Sequence, residues 1–311
     1  MTVAFLFPGQ GAQRSGMLHQ LPHHEVVENT LAEVTSALGD DITKFDTSEA
    51  LQSTVATQLS LLAAGVATAR YLQAQGIDPA VVLGMSVGAF AAAVTAGVIS
   101  LHDAVLLVKE RAERMQVLFP KDYGMAAIVG LSESQVQQIA ETVYSDKAPV
   151  FVTNINAAKQ IVTAGARAGL SQLIERAQAM GAQRAELLNV SVPSHCRLLE
   201  PVASALRERL QAISVSRPNC TYISDVQARA TYTAKGVQSD LANNIAHGVR
   251  WSDATEVAVE LGCDLFLEMQ PGHALTDLFH QAHPGIEAVA VTDAMMSRIL
   301  RITREASGQS L

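Results

Sequence analysis

Ser86 stands between two glycines, in Gly84-Met85-Ser86-Val87-Gly88. An apolar run, Val81–Leu83, precedes this stretch and an Ala-rich segment, Ala89–Ala96, follows it. Strand, sharp turn and helix in that order form the setting that lifts a serine up as a nucleophile. The turn forces the serine into a strained backbone shape, which calls for small residues two places to either side. At a helix N-terminus the free N–H groups and the dipole can also stabilise an oxyanion. Such a serine needs a base, and histidine suits because its pKa lies near neutrality. His19, His23, His24, His102, His280 and His283 fall on or near polar helix surfaces. His195 lies where a predicted strand ends and a predicted helix begins, with Pro193 and Ser194 at the entry. His247 and His273 fall in predicted loops and stay open as alternatives.

The loop Phe7-Pro8-Gly9-Gln10-Gly11-Ala12-Gln13 follows a predicted strand. Gly-x-Gly there could open a dinucleotide site, but Arg14 stands where the third glycine is needed. Exposed N–H groups beside a nucleophile instead suit half of an oxyanion hole. Arg111 and Arg114, read by themselves, are solvated helix residues paired with Glu110 or Glu113. Asn154 and Asn156 read as turn chemistry at a strand end. His24-Glu25 lacks the second histidine of a zinc helix. Asp103, Asp122 and Asp146 lie between Ser86 and His195, so a hydrolase order of Ser, acid and His is formally present.

The elements needed to position these residues alternate between strand and helix. Val3–Phe7 reads as a buried parallel strand, His24–Leu38 as an amphipathic helix, and Val55–Gln75 as a helix apolar on most of its surface. Leu101–Phe119 reads as the helix carrying Arg111. From Gly124 the texture changes: Met125–Val129, Ser134–Val143, Val150–Ile155, Gln160–Ala164, Leu170–Met180 and Gln183–Val190 follow as β-α-β-β-α-β, a ferredoxin-like unit. Ser194–Ala212 is then a helix, Cys220–Ile223 a strand, and Val237–Ile245 and Trp251–Leu261 are helices. Asp264–Glu268 and Ile286–Val291 are strands, with a closing helix over Ala294–Glu305. The expected organisation is an α/β unit over 1–123 and 192–311, interrupted by a small α+β unit over 124–191.

Composition narrows the classes. The chain has 311 residues, 49% hydrophobic and 17% charged, with a net charge of -8. That balance argues against a general nucleic-acid binder. Cys196, Cys220 and Cys263 are scattered without a C-x-x-C pair, which suits a reducing compartment rather than a disulfide scaffold or zinc site. No apolar run approaches the roughly 20 residues of a membrane span, and the N-terminus lacks a signal-peptide pattern. The expected location is the cytoplasm.

Five motifs in this order resemble the malonyl-CoA:acyl-carrier-protein transacylase family. They are Phe7–Gln13, Gly84–Gly88, Arg111-x-x-Arg114-Met115-Gln116, Ser191-Val192-Pro193-Ser194-His195-Cys196 and Glu268-Met269-Gln270-Pro271-Gly272-His273. The resemblance implies a hydrolase-like α/β core, its parallel sheet flanked by helices, with the small unit as one wall of a cleft. It implies Ser86 as nucleophile, His195 as base and then acid, and the backbone N–H groups of Gln10 and Val87 as oxyanion hole. Arg111 would clamp the free carboxylate of the acyl group, a fork-to-carboxylate match. Malonyl-CoA is then the substrate, a carrier protein the partner, and no cofactor or metal stays bound.

Two departures stand out. The family often has histidine where this chain has Met85. It commonly has Gln where this chain has Arg250, in Val249-Arg250-Trp251, and the backbone carbonyl there is expected to orient the histidine. Gly84–Phe90 and Ala242–Trp251 carry a finer resemblance to the epsilon subunits of bacterial malonate decarboxylases. It implies the thiol of a modified-CoA group on a dedicated carrier subunit as acceptor. Three alternatives are a transacylase of fatty-acid or polyketide synthesis, a serine esterase, and a scaffold subunit without activity.

Overall fold

The structure, a computed structural model, describes residues 1–119, 121–190 and 192–306. Ser191, which opens the predicted histidine segment, and residues 307–311 lie outside the described residues. In chain order the first elements are β1 (Val3–Phe7), α1 (Glu25–Leu38), α2 (Thr54–Ala74), β2 (Val81–Gly84), α3 (Gly88–Thr95) and α4 (Leu101–Leu118). Next come β3 (Tyr123–Val129), α5 (Glu133–Val143), β4 (Val150–Ala157), β5 (Gln160–Ala166), α6 (Arg167–Ala179) and β6 (Arg184–Leu187). The remainder is α7 (Glu200–Gln211), β7 (Thr221–Ser224), β8 (Arg229–Thr231), α8 (Ala234–Asn243), α9 (Trp251–Glu260), β9 (Leu265–Glu268), α10 (Ala274–Ala282), β10 (Glu287–Ala290) and α11 (Asp293–Ala306).

Two sheets result. The larger runs β10-β9-β1-β2-β7-β8, parallel except for β8, which pairs antiparallel with β7. The unbroken apolar run of β1 has a direct cause: both faces of this sheet are covered. Val3, Phe5 and Phe7 enter a core shared with α1 to α4, while Ala4 and Leu6 enter one shared with Trp251 and Ala254 of α9 and Phe279 of α10. The 21-residue helix α2 is buried along most of its length, as its Ala and Leu content predicts. The smaller sheet runs β4-β5-β3-β6, antiparallel throughout, and α5 and α6 share its core. The smaller sheet is tied to the segment between α8 and α9 where Ile155 N–H donates to Val249 O and Val249 N–H to Thr153 O, each at 2.8 Å.

Three elements differ from expectation. The predicted helix from Ser194 begins only at Glu200, after a 3-10 turn over Arg197–Leu199. His195 has φ 65, and its N–H donates to Ile245 O at 2.8 Å, so this stretch cannot follow a helical path. Strand β8, a short edge strand paired with β7, has no counterpart among the expected elements. Helix α8 starts at Ala234, because Thr233 caps it by accepting from Gly236 N–H at 3.1 Å.

Candidate active site

The serine turn sits where β2 ends and α3 begins. Ser86 takes φ 57, a left-handed backbone that is costly for a residue with a side chain. The crossing is tight enough to exclude any Cβ. One added to Gly84 would lie 2.2 Å from the Gly88 carbonyl carbon, and one on Gly88 would lie 2.2 Å from Phe7 O. The neighbouring loop comes equally close, since a Cβ on Gly9 would lie 2.6 Å from Met85 O. This packing brings Gln10 alongside Ser86. Among the described residues, neither the Gln10 nor the Val87 backbone N–H has an acceptor within the chain.

Ser86 and His195 line one cleft of about 130 Å³, together with Gln10, Gln58, Met85, Arg111, Asn154 and Asn156. Arg111 is 1% exposed. Its Nη2 donates to Ser86 Oγ at 3.2 Å and its Nη1 to Gln58 Oε1 at 2.6 Å, while Nε is buried and has no partner among the described residues. Burial lowers its pKa to about 10, with Asp225 opposing that shift. The guanidinium is thus a cation at neutral pH with donor capacity to spare. His195 is also buried, and its Nδ1 lies 2.6 Å from Asn244 O. A carbonyl oxygen can only accept, so the proton sits on Nδ1 and the lone pair on Nε2. Burial and the Arg111 charge depress its pKa to about 4, against the pull of backbone carbonyls. At neutral pH the ring is a free base.

A nucleophile, a neutral base, two free N–H groups and a buried cation thus meet in one cleft. The sequence matches the model of the acyl transferase domain over residues 4–297. The chain belongs to that family. It is 36% identical to the malonyl CoA-acyl carrier protein transacylase of Salmonella typhimurium over 296 residues, covering 93% of this chain and 96% of that one. The corresponding protein of Bacillus subtilis is 31% identical over 296 residues, covering 94% and 93%. Among solved structures, the Coxiella burnetii transacylase superposes with a TM-score of 0.93 at 31% identity, covering 97% of each chain. A malonyl-transacylase in complex with a type II PKS acyl-carrier protein superposes with a TM-score of 0.92 at 34% identity, covering 97% of this chain and 100% of that one.

In this acyltransferase the predicted site residues fall unevenly. Ser86, His195, Arg111, Gln10 and Val87 converge. Arg114, as expected of a surface residue, pairs with Glu110 at 2.8 Å; Arg111, three places earlier, points inward instead. His247 is exposed, and so is His273, which pairs with Asp277. Arg250 is a correction. Its carbonyl accepts from Ala254 N–H as α9 starts, and its side chain binds Asp253 and Glu133. The histidine is oriented by Asn244, whose carbonyl lies past the end of α8 and is therefore free of the helix ladder. Among the described residues no carboxylate bonds His195, which removes the geometric basis for an esterase triad.

Asn154 and Asn156, expected to be turn residues, lie on strand β4 and line the cleft, their buried side-chain oxygens without a partner among the described residues. Gln58, Asn244 and Asp225 were missed. Gln58 sits inside an apolar helix, where a buried amide is the available signal. The latter two lie in ordinary loop chemistry. Glu268 of the late Glu-x-x-Pro-Gly motif serves the fold, accepting from Leu275 N–H, Thr276 N–H and the Thr276 hydroxyl at the start of α10.

Proposed function

We propose that this acyltransferase carries malonyl from malonyl-CoA to the thiol of a carrier protein through an ester on Ser86. Residues 124–191 are then the inserted wall of the cleft. The observation that carries the reading is Arg111: a buried guanidinium, incompletely paired, within 3.2 Å of the nucleophile's oxygen. An acyl group with a free carboxylate supplies the anion this cation lacks, whereas acetyl does not.

The steps follow from the atoms. His195 Nε2 takes the proton as Ser86 Oγ attacks the thioester carbonyl. The N–H groups of Gln10 and Val87, with the α3 N-terminus behind them, receive the oxyanion. The carbonyl reforms as the C–S bond breaks, and His195 returns its proton to the departing CoA thiol. A carrier thiol then runs the sequence in reverse. The carboxylate clamp fixes the acyl group in both halves, so geometry favours a positioned thiol over a passing water.

The finer acceptor we propose is the carrier subunit of a malonate decarboxylase, supported by the resemblance in Gly84–Phe90 and Ala242–Trp251. The relatives' names favour a second acceptor, a carrier of fatty-acid or polyketide synthesis. A transfer assay comparing CoA and both carriers separates the two; equal rates to all would remove the finer proposal. For the activity itself, labelled malonyl-CoA should leave a malonyl ester on Ser86. Label on another residue, rapid release of malonate without a thiol, or no label at all would each overturn it. Arg111→Ala should cut malonyl transfer by about 10²-fold and spare acetyl transfer, on the scale of a lost buried charge pair.

A further inference from the structure

Ser86 holds its left-handed shape with help from a residue 139 positions away. Its N–H donates to Asp225 Oδ2 at 2.8 Å, and its carbonyl accepts from Asn244 Nδ2 at 3.1 Å. Asp225 follows directly on β7, the neighbour of β2 in the sheet, and is 1% exposed. Among the described residues, the Ser86 N–H is the one partner this side chain has on another residue, and Oδ1 has none. The nearby Asp240 differs: it accepts from the Tyr222 and Ser224 hydroxyls. A buried carboxyl with a single outside bond, spent on the nucleophile's own backbone, is a costly choice for packing alone.

We propose that Asp225 is a positioning residue for Ser86. Its Oδ2 fixes the turn, and with it the aim of Oγ and of the adjacent Val87 N–H toward the reacting carbonyl. This rests on Ser86 being the nucleophile. Holding the turn needs an acceptor oxygen, not a charge. Burial and the neighbouring Asp240 raise the Asp225 carboxyl well above the usual carboxylate range, while the Ser86 N–H and Arg111 pull it down.

The test compares the intact protein with Asp225→Asn, which keeps the oxygen, and Asp225→Leu, which keeps the volume without it. Two rates are read: CoA release on mixing with malonyl-CoA, and labelling of Ser86 by a fluorophosphonate. Thermal midpoints are recorded alongside. Asp225→Leu should slow both rates by about 10²-fold, the scale of an ångström's misplacement. Its KM for malonyl-CoA should stay within about threefold, and Asp225→Asn should stay within about threefold of the parent in every readout. Asp225→Ala, which cannot clash, carries the expectation of the leucine variant if that protein does not fold. A leucine or alanine variant at the parent rate overturns the proposal, as does an asparagine variant as slow as they are. Should the parent release no CoA yet the labelling order hold, the malonyl reading fails and the positioning role stands.

Discussion

The electrostatics of the cleft oppose each other to a purpose. Arg111 and burial together keep His195 neutral, and a neutral imidazole is the form that can accept the serine's proton. The kcat/KM for acylation reports the free enzyme's base. Its acid limb should therefore fall near pH 4, with a flat profile from about pH 5.5 to 8; a limb near 6.5 would contradict the burial account. Gln58 supports the Arg111 clamp from within α2 through the 2.6 Å bond to Nη1. Gln58→Leu removes one charge-assisted bond, worth about 1.5–3 kcal/mol. KM for malonyl-CoA should rise about 10- to 10²-fold while acetyl transfer changes little. Equal effects on the two acyl groups would show that Gln58 serves packing and not the carboxylate.

At the scale of elements, the site hangs on chain crossings that glycine alone permits and on helix ends that side chains complete. Glu268 collects three donors at the start of α10, though burial raises its pKa. Glu268→Ala leaves two buried N–H groups unmatched and should cost about 2–4 kcal/mol, read as a shift in urea midpoint. Glu268→Gln, which keeps one acceptor, should lose less. The same distinction explains what the sequence disclosed. Gly84–Gly88 and Phe7–Gln13 are legible because their constraints are local: a turn, a close approach and an apolar run before each. Strand and helix periods revealed both sheets for the same reason. Asn244 and Asp225 act across 158 and 139 positions on Ser86, and nothing beside them in the chain marks that contact. Arg250 misled because the resemblance puts the histidine's carbonyl there, whereas the Arg250 carbonyl accepts from Ala254 N–H and the one on His195 Nδ1 lies earlier in the chain, at Asn244. The left-handed His195 was hidden by a segment whose Pro193 and Ser194 imitate a helix entry.

For the whole molecule, the cleft gathers residues that lie far apart in the chain, from Gln10 to Asn244, so charging its buried base acts on the fold as well as on the chemistry. His195 has its folded pKa depressed to about 4 from an ordinary 6.5. The unfolded chain therefore binds this proton more readily, and the stability that the neutral ring contributes is present above pH 6.5 and lost as pH falls toward 4. Asp225, Asp240 and Glu268 run the other way. Burial raises their folded pKa values, so their contribution is greatest in acid and declines as pH rises through the folded value. A single acid-denaturation curve sums both signs and hides each. His195→Gln isolates one, because the amide is of similar size and does not charge. Between pH 7 and 4.5 the parent should lose about 2 kcal/mol more unfolding free energy than this variant. Parallel losses, measured by urea titration at the two pH values, would mean that the imidazole is not held neutral by the fold, and the free base assigned to the cleft would have to be withdrawn with it.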